Sequence, residues 1–117
     1  MGRLDAPRRK RIRQGTKRLR DAINAMDYVA SGTLLTRTKV CGRPNCKCAE
    51  DATARHGPYY EWSRREDARL VHSVVSRQQA AWLELAISNH RRIYALLAQW
   101  ERATATEILE RLDEEED

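Results

Sequence analysis

All three cysteines of the 117-residue chain lie in one short segment, residues 41–48, and His56 follows them. The spacing, Cys-x4-Cys-x-Cys-x7-His, provides four donor atoms, which is the number that a structural zinc ion takes from thiolates and imidazoles. Gly42, Pro44 and Asn45 favour a tight turn between the first two cysteines, because glycine and asparagine tolerate positive φ and proline fixes its own. The segment therefore predicts a Zn²⁺ site with the ligands Cys41, Cys46, Cys48 and His56.

The fourth ligand is the one that the pattern defines least. His56 precedes Gly57-Pro58 and could instead cap a turn, and His72 is the alternative ligand if the fold brings it close. The cysteines could also be reduced, small apolar residues that hold no metal. Positive charges among the ligands favour the metal site, because they lower the pKa of nearby thiols. These basic residues are Lys39, Arg43, Lys47 and Arg55.

Size and composition predict a single domain over residues 1–117. The chain has no Phe, three Trp and four Tyr, so we expect a thin aliphatic core that a metal ion must support. No apolar run approaches the ~20 residues of a membrane span, and the Arg-rich N-terminus lacks the apolar region of a secretory signal. With an odd number of cysteines, these features predict a reducing, cytoplasmic location.

The net charge of +5 is distributed unevenly. Residues 1–20 carry nine Lys/Arg against one Asp, whereas residues 101–117 carry eight Asp/Glu against two Arg. A basic cluster that does not alternate in sign predicts a nucleic-acid-binding arm over residues 1–20, with DNA favoured over RNA. The alternative is a solvated arm, or one that binds an acidic protein. Residues 113–117 are predicted to be an acidic, solubilising tail.

Further basic residues near the cysteines and the aromatic residues extend this predicted surface, where Tyr59, Tyr60 and Trp62 could stack on bases. The predicted nucleic-acid-binding residues are Arg8, Arg9, Lys10, Arg11, Arg13, Lys17, Arg18, Arg20, Arg43, Lys47, Arg64 and Arg65.

Apolar periodicity predicts two long helices. The first begins at Asp5-Ala6-Pro7, keeps an apolar stripe to Ala30 and is capped by Gly32. Gly15 weakens its first half, so residues 7–15 are expected to be ordered only when bound. The second spans residues 77–112, after a Ser76–Gln79 capping box. Its predicted inward residues are Trp82, Leu85, Leu96 and Trp100; the alternative is a coiled-coil seam between two copies, with Asn89 at a core position.

Residues 33–40, 58–65 and 69–75 are rich in Thr, aromatic and β-branched residues and predict three strands. The last two form an antiparallel hairpin through Glu66-Asp67-Ala68, and residues 33–75 together form the zinc turn and hairpin. The chain is thus predicted to have an α+β fold, mainly α. Two long helices flank a small zinc-stabilised antiparallel unit of three strands.

Two segments of this unit, CGRPNCKC at residues 41–48 and HGPYY at residues 56–60, resemble a family of small, uncharacterised bacterial proteins. That family has a CGxPxCxC turn, an HGPY strand start and a charged helical tail. The resemblance covers residues 30–100 and implies that Cys41, Cys46, Cys48 and His56 belong to one site. It also implies a genetic setting beside transposases or site-specific recombinases.

These observations predict a zinc-stabilised, DNA-binding accessory protein for transposition or recombination. The alternative is a helical adaptor that recruits a recombinase or transposase subunit, or forms a homodimer through its C-terminal helix, without binding nucleic acid. An enzyme is not expected, because the chain has no Gly-rich phosphate loop, nucleophile elbow or paired catalytic carboxylates. A membrane role is not expected either.

Overall fold

The computed structural model describes residues 6–110, so the predicted cap Asp5 and the acidic tail 113–117 lie outside it. The elements are α1 (Ala6–Asn24), β1 (Thr33–Lys39), two short 3-10 turns (Lys47–Ala49 and Ala52–Ala54), β2 (His56–Glu66), β3 (Arg69–Val75) and α2 (Arg77–Glu110). The predicted fold class is confirmed: two long helices accompany a three-stranded antiparallel sheet.

The chain divides into two compact units. The sheet unit is Ala30–Ser88, and the helical unit combines the chain up to Val29 with the chain from Asn89 onwards. The helix α2 contributes its first turns to the sheet unit and the rest to the helical unit. No helix within residues 6–110 has the length and apolarity needed to span a membrane.

In the helical unit, α1 runs antiparallel to α2. Arg8 pairs with Glu110 at 2.6 Å and Arg13 with Glu107 at 3.0 Å, while the Arg20 guanidinium lies 5.7 Å from the centre of the Trp100 ring. Residues later in α1 therefore contact residues earlier in α2, as expected for antiparallel helices. Ile12 and Leu19 are half-buried on the same side of α1, which follows from their helical spacing.

Two features of α1 differ from the sequence-based expectation. The helix is continuous through Gly15, and its first half makes ion pairs with α2. It also ends at Asn24, well before Ala30. Gly32 is therefore not its cap. Gly32 has φ of +107°, and a Cβ there would collide with the Ser63 carbonyl oxygen, so glycine permits a close approach to β2.

The strand order in the sheet is β1-β2-β3. Leu34 and Ser73 flank Trp62 across the sheet, and the hairpin turn places Asp67 and Ala68 at φ of 49° and 65°. Two residues with positive φ are typical of a type I′ hairpin turn, which matches the twist of the flanking strands. The predicted strands and hairpin are confirmed, with β1 ending one residue early and β2 longer at both ends.

The first turn of α2 has the predicted capping box. The backbone N–H of Gln79 donates to Ser76 Oγ at 3.0 Å, and the N–H of Ser76 donates to Gln79 Oε1 at 2.8 Å. These two bonds satisfy donors that the start of a helix leaves free.

The predicted inward face of α2 is partly wrong. Leu96 is buried and Trp100 half-buried, but Trp82 and Leu85 are 51% and 53% exposed. The buried positions in the sheet unit are Cys48, Ala80, Ala86 and Ile87. Small alanines allow close approach of the backbone, as the hydrogen bond from the Ala30 N–H to the Ala86 carbonyl shows, and the large indole is left outside.

Asn89, which was predicted as a core residue of a seam between two copies, makes a hydrogen bond within its own chain. Its side-chain amide donates to the Tyr28 carbonyl oxygen at 2.9 Å within the helical unit. Tyr28 lies past the end of α1, so this bond holds the chain that leaves α1 against α2.

Candidate metal centre

The sheet brings the two ends of the ligand segment together. Lys39, the last residue of β1, is paired with His56, the first residue of β2. Cys41 follows β1 by two residues, so it lies at the same end of the sheet as His56. The intervening loop turns at Gly42, which has φ of 77°, and the Cys46 N–H donates to the Arg43 carbonyl at 3.3 Å. Positive φ at Gly42 is the conformation for which the sequence predicted glycine.

The predicted ligands form one cluster. The donor atoms of Cys41, Cys46, Cys48 and His56 all lie within 4.8 Å of one another. The Cys48 and Cys41 sulfurs are 3.4 Å apart, and the Cys46 sulfur is 3.2 Å from His56 Nε2. In a tetrahedral site with metal–sulfur bonds of about 2.3 Å, two sulfurs would be about 3.8 Å apart. The cluster therefore has the dimensions of a four-coordinate metal site.

Burial and hydrogen bonding differ among the sulfurs. Cys48 is 2% exposed and is the only fully buried side chain in the described part of the chain, while Cys41 and Cys46 are half-buried and His56 is exposed. The Cys41 backbone N–H donates to the Cys48 sulfur at 3.3 Å. Such a bond to a sulfur orients it and favours its anionic form.

These environments shift two thiol pKa values in opposite directions. Hydrogen bonds from Cys48 and then from Cys41 hold the pKa of Cys46 below its ordinary value. For Cys48, the Cys41 N–H bond favours the thiolate, but burial and the neighbouring thiols outweigh it and raise the pKa. A bound cation would reverse the second effect, because it replaces repulsion among the three sulfurs by attraction to a common charge.

His72 is not part of the cluster. Its Nδ1 lies 2.7 Å from Ser63 Oγ and 3.4 Å from Glu61 Oε1, in the middle of the sheet. Asp51 is also engaged elsewhere, since its carboxylate accepts from the Thr53 N–H and hydroxyl, and these bonds lower its pKa. The fourth donor that the fold supplies is thus His56, as the spacing predicted.

Residues 7–85 match the family described as Domain of unknown function (DUF6788). The chain belongs to this family. The match includes α1, the sheet and all four ligands, and it ends inside α2. No curated protein and no solved structure matches the chain. The family description names no activity, so the function must be argued from the geometry.

The basic residues predicted to bind nucleic acid fall on three different elements of this family member. Eight lie on α1, and Arg64 and Arg65 lie on β2. Arg43 and Lys47 are exposed on the segment between β1 and β2, residues 40–55, here called the metal loop. Arg64 is engaged within the sheet: it stacks 4.0 Å from the centre of the Trp62 ring and donates to Glu66 and Ser73. Arg65 is exposed on the other face. The binding role of these residues stays a prediction.

The sequence reasoning missed one basic feature. Arg37 and Lys39 project from β1 on the same face as Arg65, and alternation along β1 could have identified them. Five of the basic residues that the sequence predicted on α1 line one shallow groove along that helix: Arg9, Lys10, Arg13, Lys17 and Arg20.

Proposed function

We propose that this protein binds nucleic acid, with DNA as the favoured ligand, and that a zinc ion stabilises its sheet unit. Transposition or recombination is the proposed setting, and the proposed role is binding without catalysis. The observation that carries the proposal is a groove of about 520 Å³ along α1 in the helical unit. Its basic lining residues are Arg9, Lys10, Arg13, Lys17 and Arg20.

Basic residues outnumber acidic ones on the helix that forms this groove. The helix α1 carries eight Lys/Arg and one acid, Asp21, which pairs with Lys17 at 3.0 Å. Glu110 and Glu107 pair with Arg8 and Arg13. Lys10, Arg11 and Arg18 remain exposed along the same helix. A line of cations on a rigid helix matches the regular negative charge of a nucleic-acid backbone.

The groove continues toward an aromatic ring. A second depression shares Lys17 and Arg20 with the first and is lined by Trp100. The cationic surface therefore extends beyond the first depression, which lengthens the line of phosphates that it can contact.

Zinc is the proposed metal because of the donor set. Three thiolates and one imidazole suit Zn²⁺, and four protein ligands leave no open position for water, as in structural sites. All three cysteines are free thiols, which fits a reducing compartment, so the proposed location is the cytoplasm. Metal analysis of purified protein tests this: about one equivalent of zinc per chain is expected, and Cys46→Ser should release it.

Salt-dependent binding tests the groove. Lys10→Gln/Lys17→Gln removes two charges from it, and Arg91→Gln/Arg92→Gln is a matched control that removes two exposed charges from α2. Each phosphate contact on duplex DNA contributes about −0.9 to the slope of log affinity against log salt. The groove variant should therefore flatten the slope by about 1.8, and the control should leave it unchanged. An equal change of slope in both variants would contradict binding of nucleic acid in the groove.

The alternative function, a helical adaptor, has its own supporting observation. Tyr94, Leu97 and Ile108 are exposed along α2 at 67%, 40% and 62%. Their heptad-like spacing would suit a second copy of the chain or a helix of a recombinase or transposase subunit. If wild-type protein shows no salt-dependent binding to DNA or RNA, while Leu97→Ser/Ile108→Ser abolishes self-association in sedimentation, the adaptor function is favoured.

A further inference from the structure

The two faces of the sheet differ in burial. Trp62, Arg64 and Val71 lie on one face and are half-buried. The opposite face, here called the open sheet face, carries Leu70 and Val74, which are 56% and 71% exposed. An antiparallel sheet commonly leaves one face to solvent, but that face is then polar. Exposed apolar residues on it indicate a surface that contacts something else.

The open sheet face is also basic. Arg37 and Lys39 of β1 and Arg65 of β2 are exposed on it. The only carboxylate that the three strands place there is Glu61, which already faces the His72 ring at 3.4 Å. The open sheet face therefore has three cations and one carboxylate, and that carboxylate already faces a histidine ring. The resulting positive charge fits an anionic ligand better than an apolar one.

An aromatic ring stands beside two of these cations. Tyr59 is paired with Arg37 across β1 and β2, and the Lys39 ammonium lies 5.6 Å from the centre of the Tyr59 ring. A phosphate bound by Arg37 and Lys39 would bring its base next to this ring. Unpaired bases stack on aromatic side chains of open sheets, whereas duplexes keep their bases covered.

We infer that the open sheet face binds single-stranded nucleic acid through Arg37, Lys39, Tyr59 and Arg65. This inference rests on the proposed function and names a second site, in the other unit, with a different preference. Arg37 and Lys39 contact phosphates, Tyr59 stacks on a base, and the exposed apolar residues Leu70 and Val74 contact the next bases along the strand. The site lies beside the metal loop, where Lys39 is paired with the ligand His56.

The test compares a short single-stranded DNA with the duplex of the same sequence by fluorescence anisotropy. Tyr59→Leu removes the ring, and loss of one stacked base should weaken single-strand binding at least about fivefold, while Tyr59→Phe should bind as wild type. Arg37→Gln/Lys39→Gln should flatten the salt slope for the single strand by about 1.4. Duplex binding, assigned to the groove on α1, should change little in all three variants.

Arg69→Gln/Arg77→Gln is the matched control. It removes two exposed charges from the same unit, and Arg69 lies on the opposite face because it is paired with Glu66. Retained zinc and an unchanged circular dichroism spectrum establish that each variant is folded. If Tyr59→Leu does not fold, the Arg37→Gln/Lys39→Gln variant decides alone.

Three results would overturn the inference. If the variant on the open sheet face, Arg37→Gln/Lys39→Gln, and the control variant weaken single-strand binding equally, the loss is only a general effect of charge. Open-face variants that bind the single strand as wild type, while Lys10→Gln/Lys17→Gln loses binding, would remove this site and leave the proposed function intact. Wild-type protein that binds neither form would overturn both, and the face would then belong to a protein partner.

Discussion

The two units of this chain are stabilised in different ways. Of the five side chains that are buried within residues 6–110, the sheet unit contains four, Cys48, Ala80, Ala86 and Ile87, together with the candidate ligand cluster. The described part of the helical unit contains the fifth, Leu96, and has ion pairs near the start of α1. The sheet unit depends on contacts between residues distant in sequence and on four donor atoms. The helical unit depends on a seam between two helices, each of which has its own local pattern.

The largest expected difference follows from metal removal. If the proposed zinc site is structural, replacing its buried member, Cys48→Ser, or adding a chelator should unfold the sheet unit, because structural zinc contributes about 10–16 kcal/mol in small metal-dependent domains. The signals of β1, β2 and β3 should lose dispersion in NMR spectra, while helical circular dichroism largely persists. Lys47→Ser, in the same loop, is the control. A dispersed sheet in chelator would show that the cluster is not a structural site.

In the helical unit, the largest effect should come from Leu96→Ala. A buried leucine replaced by alanine costs about 2–5 kcal/mol, from lost burial and from the cavity left behind. Leu109→Ala is the matched control, since Leu109 is 72% exposed on the same helix. Urea denaturation measures both. Equal losses would mean that Leu109 is covered in solution, as a homodimer through α2 would require.

Two glycines should respond to alanine with opposite signs, one in each unit. Gly32→Ala should destabilise the sheet unit by more than about 1 kcal/mol, because φ is positive and the new Cβ would meet the Ser63 carbonyl. Gly15→Ala should stabilise α1 by about 0.5–1 kcal/mol. Its Cβ would meet nothing closer than the Arg18 side chain at 3.9 Å. Thermal unfolding gives both signs; destabilisation by Gly15→Ala would contradict the described packing of α1.

The smallest effect should come from the ion pairs. The Arg8 and Arg13 side chains are 44% and 59% exposed, and pairs of this kind contribute about 0–1 kcal/mol. Arg13→Gln should therefore cost less than about 1 kcal/mol at low salt and almost nothing in 1 M salt. A larger, salt-independent loss would show that Arg13 contributes by packing its methylene groups instead.

The parts that the sequence predicted well are those set by local chemistry. The Ser76–Gln79 capping box, the three strands and the ligand spacing all depend on residues close in sequence, and each is present. The outward position of Trp82 could not be predicted in this way. It depends on which side of α2 carries alanines small enough for close approach, and a periodicity that counts alanine and tryptophan alike does not distinguish them.

The predicted end of α1 was wrong for a related reason. Apolar spacing continues past Asn24 to Ala30, but Tyr28 and Ala30 use their backbone groups to bond Asn89 and Ala86 of α2. Tertiary hydrogen bonds replaced helical ones there. The same limit applies to the open sheet face, because the sequence shows which residues alternate on β2 but not which of the two faces is covered.

The position of the ligands has a consequence for the unfolded chain. Cys41 and His56 are the first and last of the four donors, so an ion held by all four would close a loop of about 15 residues that the unfolded, metal-free chain leaves open. A disulfide would provide a similar restriction, but thiol reductants would break it. In the proposed zinc site, the metal cross-link would persist in a reducing environment and would be lost when free zinc becomes scarce, so the folded fraction of the sheet unit should follow metal supply.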